Sequence, residues 1–103
     1  MRLSITCLAL AFLFGSNEAT FAADADNGSR LAQRWCASCH IVTGTQSRGT
    51  DAVPSFASIA QREGFSADKL AFFLLIPHPI MPNMSLSRDE AQDIAAYIAT
   101  QRR

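Results

Sequence analysis

Cys36-Ala37-Ser38-Cys39-His40 concentrates the chain's most reactive side chains within five positions. On helical backbone, residues three apart share a face, so both thiols can reach one edge of a flat partner. The imidazole that follows can turn beneath that partner and bind a metal. CxxCH is the spacing of covalent c-type haem attachment, with two thioethers and one axial nitrogen coming from a single short segment. Other uses of these residues fit less well. A thioredoxin-like redox pair calls for βαβ surroundings, and no strand pattern flanks the motif. A structural zinc site needs a fourth ligand and usually a second Cys or His pair, which is missing. A plain disulfide leaves His40 without a role.

The elements that must position this motif read as helices. Leu31 and Trp35, four apart, suggest an inward stripe on a first helix from about Asn27 to Ser38, with Arg30, Gln33 and Arg34 facing water. Gly28 is a poor residue near the start of such a helix. Thr43, Gly44, Thr45, Ser47, Gly49 and Thr50 make residues 41–54 a loop. A short helix is expected over Ser55 to Arg62, with Phe56 and Ile59 inward and an end near Gly64. Ser66 is an N-cap for a third helix running to Ile76, where Pro77 stops it. Its run Leu70-Ala71-Phe72-Phe73-Leu74-Leu75-Ile76 is apolar nearly all round and needs cover on most sides. Pro77, Pro79 and Pro82 keep the next segment extended. Ser87 and Glu90 form a capping box for a last helix whose inward stripe is Ala91, Ile94, Ala95 and Ile98. The fold class is all-α.

The N-terminus carries a different signal. Arg2 precedes an apolar stretch from Leu3 to Phe14, broken by Gly15, Ser16 and Asn17, and Thr20 and Ala22 sit at −3 and −1 of a cleavage site. Residues 1–23 therefore read as a secretory signal, with cuts after Ala23 or Ala25 also compatible, and residues 24–103 as one domain. The apolar stretch is too short to span a bilayer. Removing it takes Cys7, Arg2 and Glu18, leaving eight basic and eight acidic residues and only the CxxC cysteines. Such a balance argues against a strongly basic nucleic-acid binder. About 80 residues is marginal for an unaided core, and small exported domains usually add a disulfide, a metal or a cofactor.

Trp35-Cys36-Ala37-Ser38-Cys39-His40, then Val53-Pro54-Ser55-Phe56, then Ile80-Met81-Pro82-Asn83 ahead of a C-terminal helix, resemble a class I c-type cytochrome of the small, soluble, bacterial monohaem kind. The resemblance covers essentially the whole exported chain. It implies three to four short helices packed around one covalently bound haem c, with Cys36 and Cys39 as the thioether residues and His40 as an axial ligand. It implies that the first and last helices cross closely at Gly28, with Tyr97 as the aromatic packed there. The sixth-ligand candidates are His78, Met81 and Met84. The resemblance favours Met81, placed before Pro82 and six residues ahead of Ser87, with Met84 the alternative. It also implies that the backbone carbonyl of Pro54 accepts the second ring N–H of His40. Arg48 and Gln46 are candidate partners for the haem propionates, Arg48 being the better chemical match. These four, Cys36, Cys39, His40 and Met81, are expected to line one apolar cavity.

The function implied is that of a periplasmic single-electron carrier and not an enzyme, since His/Met ligation leaves no open position on iron. Redox proteins are the expected partners, met in transient complexes by a monomer with no membrane span after export. Neutrality and a single lysine, Lys69, point to docking through an apolar patch around Ile80, Pro82 and Met84. The rivals are a gas-binding or catalytic haem protein, an electron-transfer subunit of a larger dehydrogenase or oxidase complex, and a haem-free thiol oxidoreductase.

Overall fold

The computed structural model describes residues 22–46, 49, 53–76 and 81–103. Within them lie four helices: α1 (Ala25–Trp35), α2 (Phe56–Ala60), α3 (Ala67–Leu74) and α4 (Arg88–Ala99). No strand occurs among the described residues, and no helix there is long and apolar enough to cross a membrane.

Each helix starts where a short polar side chain can satisfy a free backbone N–H. The Asp24 carboxylate accepts from Asn27 N–H at 3.0 Å. Ser55 accepts from Ser58 at 3.1 Å and Ser66 from Lys69 at 3.3 Å. Ser87 and Glu90 close the reciprocal capping box at 3.1 and 2.8 Å. Between α2 and α3 the chain turns through Gly64, whose φ of +71° is open to glycine without strain.

α1 packs chiefly on α4, and α3 packs on the other side of α4. A buried cluster of Ala32, Cys36, Val42, Phe56, Ala60, Ile94, Tyr97 and Ile98 joins α1, α2 and α4. A second, of Ala71, Ala91 and Ala95, joins α3 and α4. The inward stripe of α1 differs from the one its periodicity suggests. Gly28 and Ala32 are its buried residues, Leu31 is half-buried, and Trp35 is 45% exposed with the Arg34 guanidinium 5.0 Å over its ring. The reason is the closeness of the crossing: only a glycine and an alanine fit between α1 and the backbone of α4 at Asp93 and Ile94. Tyr97 lies one turn beyond that contact on α4 and packs edge-on against Phe56. α2 is shorter at both ends than its sequence pattern suggests, whereas α3 starts after its Ser66 cap as expected and stops at Leu74, two residues before Ile76. α4 covers α3 through Leu70, Ala71 and Leu74, while Phe72, Phe73, Leu75 and Ile76 remain exposed.

Candidate haem site

The CxxCH motif follows α1 directly, but as turns and not as a continuation of the helix to Ser38. Cys36 caps α1, and the N–H groups of Cys36 and Ala37 both donate to the Ala32 carbonyl, at 2.8 and 3.1 Å. The Cys36 carbonyl then accepts from Cys39 at 3.1 Å and from His40 at 2.9 Å. These i+3 and i+4 bonds preserve helical spacing through the motif although the helix has ended. Cys36 is buried, Cys39 is exposed, and both are free thiols. Burial pushes the Cys36 thiol up to about 11, which keeps it protonated at neutral pH and a poor thiolate nucleophile. That chemistry disfavours a redox dithiol centred on Cys36. Among the described residues no three His, Cys, Asp or Glu side chains converge as a metal-holding group.

His40 is half-buried, and its Nδ1 lies 2.5 Å from the Pro54 carbonyl oxygen. A carbonyl oxygen can only accept, so Nδ1 is the nitrogen that carries the proton there, and in the neutral ring Nε2 is the one with the free lone pair. The ring is thereby held in the tautomer a metal requires. Its other face meets Phe56, with centroids 5.6 Å apart, and Phe56 meets Tyr97 edge-on at 6.2 Å. The two residues after His40 are held by backbone and side-chain donors. Ile41 carbonyl accepts from Phe56 N–H at 2.9 Å, and the buried Val42 carbonyl accepts from the Tyr97 hydroxyl at 2.6 Å. Two free thiols three residues apart and an imidazole whose Nδ1 is taken up by Pro54 are a donor set that fits a haem.

The remaining sequence-expected residues are not all gathered here. Met81 and Met84 are half-buried, and no described contact brings either to His40. His78, Ile80 and Arg48 lie outside the described residues, as do residues 1–21 of the signal segment. Two surface cavities, one between α3 and α4 and one beside residues 42–46, are lined by residues other than Cys36, Cys39, His40 and Met81. Gln46, read as a propionate candidate, directs its side chain into the backbone of the motif loop instead.

The four helices of the described residues and the CxxCH turn they hold define a small class I c-type cytochrome. Residues 23–98 match the family model described as cytochrome c oxidase, cbb3-type, subunit III, and the chain belongs to that family. It is 58% identical over 96 residues to cytochrome c-552 of Bradyrhizobium diazoefficiens, covering 93% of this chain and 91% of that one. It is also 28% identical over 101 residues to cytochrome c6 of Thermosynechococcus vestitus, covering 96% and 89%. No solved structure matches. As a c-type cytochrome the chain uses haem c and carries electrons between redox partners; it is not an enzyme.

Proposed function

We propose that the chain is a periplasmic monohaem carrier in which Cys36 and Cys39 form thioethers to one haem and His40 and Met81 are its axial ligands. The observation that carries this reading is the His40–Pro54 hydrogen bond, which leaves Nε2 as the only ring nitrogen able to bind iron, in a residue one turn after Cys36 and next to Cys39. Haem supplies a one-electron couple when bound, and its potential is raised by a thioether ligand relative to a second imidazole. The chain's task is to hold the imidazole still, keep water away and leave one edge accessible to partners. Pro54 does the first of these. The exposed apolar side chain of Leu75, at the C-cap of α3, is available for the second. Pro82 restricts the backbone next to Met81, so that little chain entropy is lost in holding a ligand there.

Export of the chain follows from the segment at residues 1–23. Of the three cleavage positions, those after Ala22 and Ala23 keep Asp24, the N-cap of α1, whereas a cut after Ala25 would remove it. We place the cut before Asp24.

The decisive experiment is a pyridine haemochrome assay with near-infrared spectroscopy on protein matured with the attachment machinery. One haem per chain and a methionine-to-iron charge-transfer band are expected. Met81→Ala should abolish that band; its retention would move the role to Met84. Rapid carbon monoxide binding by the reduced protein would favour a gas-binding or catalytic haem protein instead.

A further inference from the structure

The side-chain amide of Gln46 reaches three backbone groups in the loop that carries His40. Its Oε1 accepts from Val42 N–H at 2.9 Å, and its Nε2 donates to the carbonyls of His40 at 2.9 Å and Ala37 at 3.1 Å. The orientation of the amide is unambiguous, because Val42 offers only a donor there and the two carbonyls offer only acceptors. Gln46 is half-buried, and its own N–H donates to the Thr43 carbonyl at 3.3 Å, which folds residues 43–46 back over the motif.

We infer that Gln46 is a positioning residue for the axial imidazole. Resting on the reading of His40 as the iron ligand, this assigns Gln46 the backbone half of the task whose ring half falls to Pro54. The His40 carbonyl and the Pro54 carbonyl bond define the ring's position from two directions, one through Cα and one through Nδ1. Ala37 lies between the two cysteines, so the same amide also ties the thioether segment to the imidazole segment. Without it, the carbonyls of Ala37 and His40 lose a shared donor, and Val42 N–H, in a residue only 1% exposed, loses its acceptor. The Val42 carbonyl would still be held by Tyr97, so the loop would pivot about that bond and take His40 with it.

The test compares Gln46→Met, which keeps length and removes all three bonds, with Gln46→Glu, which keeps the acceptor for Val42 but sets an oxygen against two carbonyl oxygens. Ser87→Ala, which removes the cap of α4 far from the loop, serves as the control for destabilisation alone. The readouts are the paramagnetically shifted His40 ring resonances of the oxidised holoprotein and its midpoint potential. The inference expects both to shift in Gln46→Met and Gln46→Glu and to stay at wild-type values in Ser87→Ala. If Gln46→Met does not retain haem, Gln46→Glu carries the test. Wild-type resonances in the Gln46 variants, or equal shifts in Ser87→Ala, would overturn it. Absence of shifted imidazole resonances in the wild-type protein would overturn the reading of His40 as well.

Discussion

A Cβ placed on Gly28 would stand 1.9 Å from the backbone carbonyl oxygen of Asp93, far inside any real contact. The obstacle is backbone, so no rotamer change can relieve it. Gly28→Ala must therefore separate α1 from α4 and loosen Ala32, Ile94, Tyr97 and Ile98 behind the crossing. Overpacking of this kind costs about 1–3 kcal/mol, and the helix-propensity gain of up to about 1 kcal/mol does not offset it. Chemical denaturation of the haem-loaded protein should show a lower midpoint. An unchanged or higher midpoint would mean that the crossing can open without loss.

Asp93 also anchors the start of the domain. Its Oδ1 accepts from Asp24 N–H at 2.7 Å and its Oδ2 from Asn27 Nδ2 at 2.8 Å. Hydrogen bonds to a charged acceptor are worth more than neutral ones, though exposure reduces the gain, and Asp93→Ala should cost about 1–2 kcal/mol. Asp93→Asn keeps one acceptor oxygen and should lose about half as much. Thermal melts of the two variants check the order; equal melting temperatures for Asp93→Ala and wild type would refute it.

The same contacts bear on export. Asp24 both caps α1 and donates to Asp93, so a mature chain that lacked it would begin with an uncapped helix, at a cost of about 1 kcal/mol. Intact-mass measurement of the exported holoprotein should give a first residue of Ala23 or Asp24 plus one haem. A chain starting at Asp26 would contradict the assignment, and a chain retaining residues 1–22 would contradict export processing altogether.

The helix starts were legible because a cap is a local matter: Ser66, and Ser87 with Glu90, carry their bonds within three residues. The end of α1 was not. Nothing near Trp35 stops a helix in the sequence; it ends because Cys36 and Ala37 N–H share the Ala32 carbonyl and the chain tightens to bring His40 back to Cys36. Periodicity put Trp35 inward, since it cannot register how close a neighbouring backbone lies, and that distance selects Gly28 and Ala32. CxxCH announced its chemistry through spacing alone. Gln46 was read as a partner for the haem propionates and not for the backbone, because its bonds depend on where the carbonyls of Ala37 and His40 point, and that is fixed by the folded turn.

Tyr97 ties the last helix to the site. Its hydroxyl donates to the Val42 carbonyl at 2.6 Å, in a setting where Val42 is 1% exposed and Tyr97 is 9% exposed. Tyr97→Phe keeps the edge contact with Phe56 but leaves that carbonyl without its donor, at a cost of about 1–3 kcal/mol. Denaturant titration should show the loss, and a midpoint equal to wild type would mean that water replaces the hydroxyl at no cost.

Docking follows from charge. After export the chain has eight basic and eight acidic residues and one lysine, Lys69, which is exposed on α3. No ring of like charge is available to steer a charged partner over a distance, so long-range attraction contributes little to encounter. The exposed surface includes apolar side chains: Pro82 is exposed, and towards the C-terminal end of α3 Ile76 is 47% and Phe72 68% exposed. Second-order rates of electron exchange with a neutral or weakly charged redox protein should therefore change little between low and high salt, because screening removes only interactions between exposed charges. Phe72→Glu should slow those rates at every salt concentration, by adding a charge to the apolar surface, while leaving the absorption spectrum of the haem unchanged. A rate that falls steeply with salt in the wild-type protein would show that opposite charges, and not apolar contact, bring the partners together.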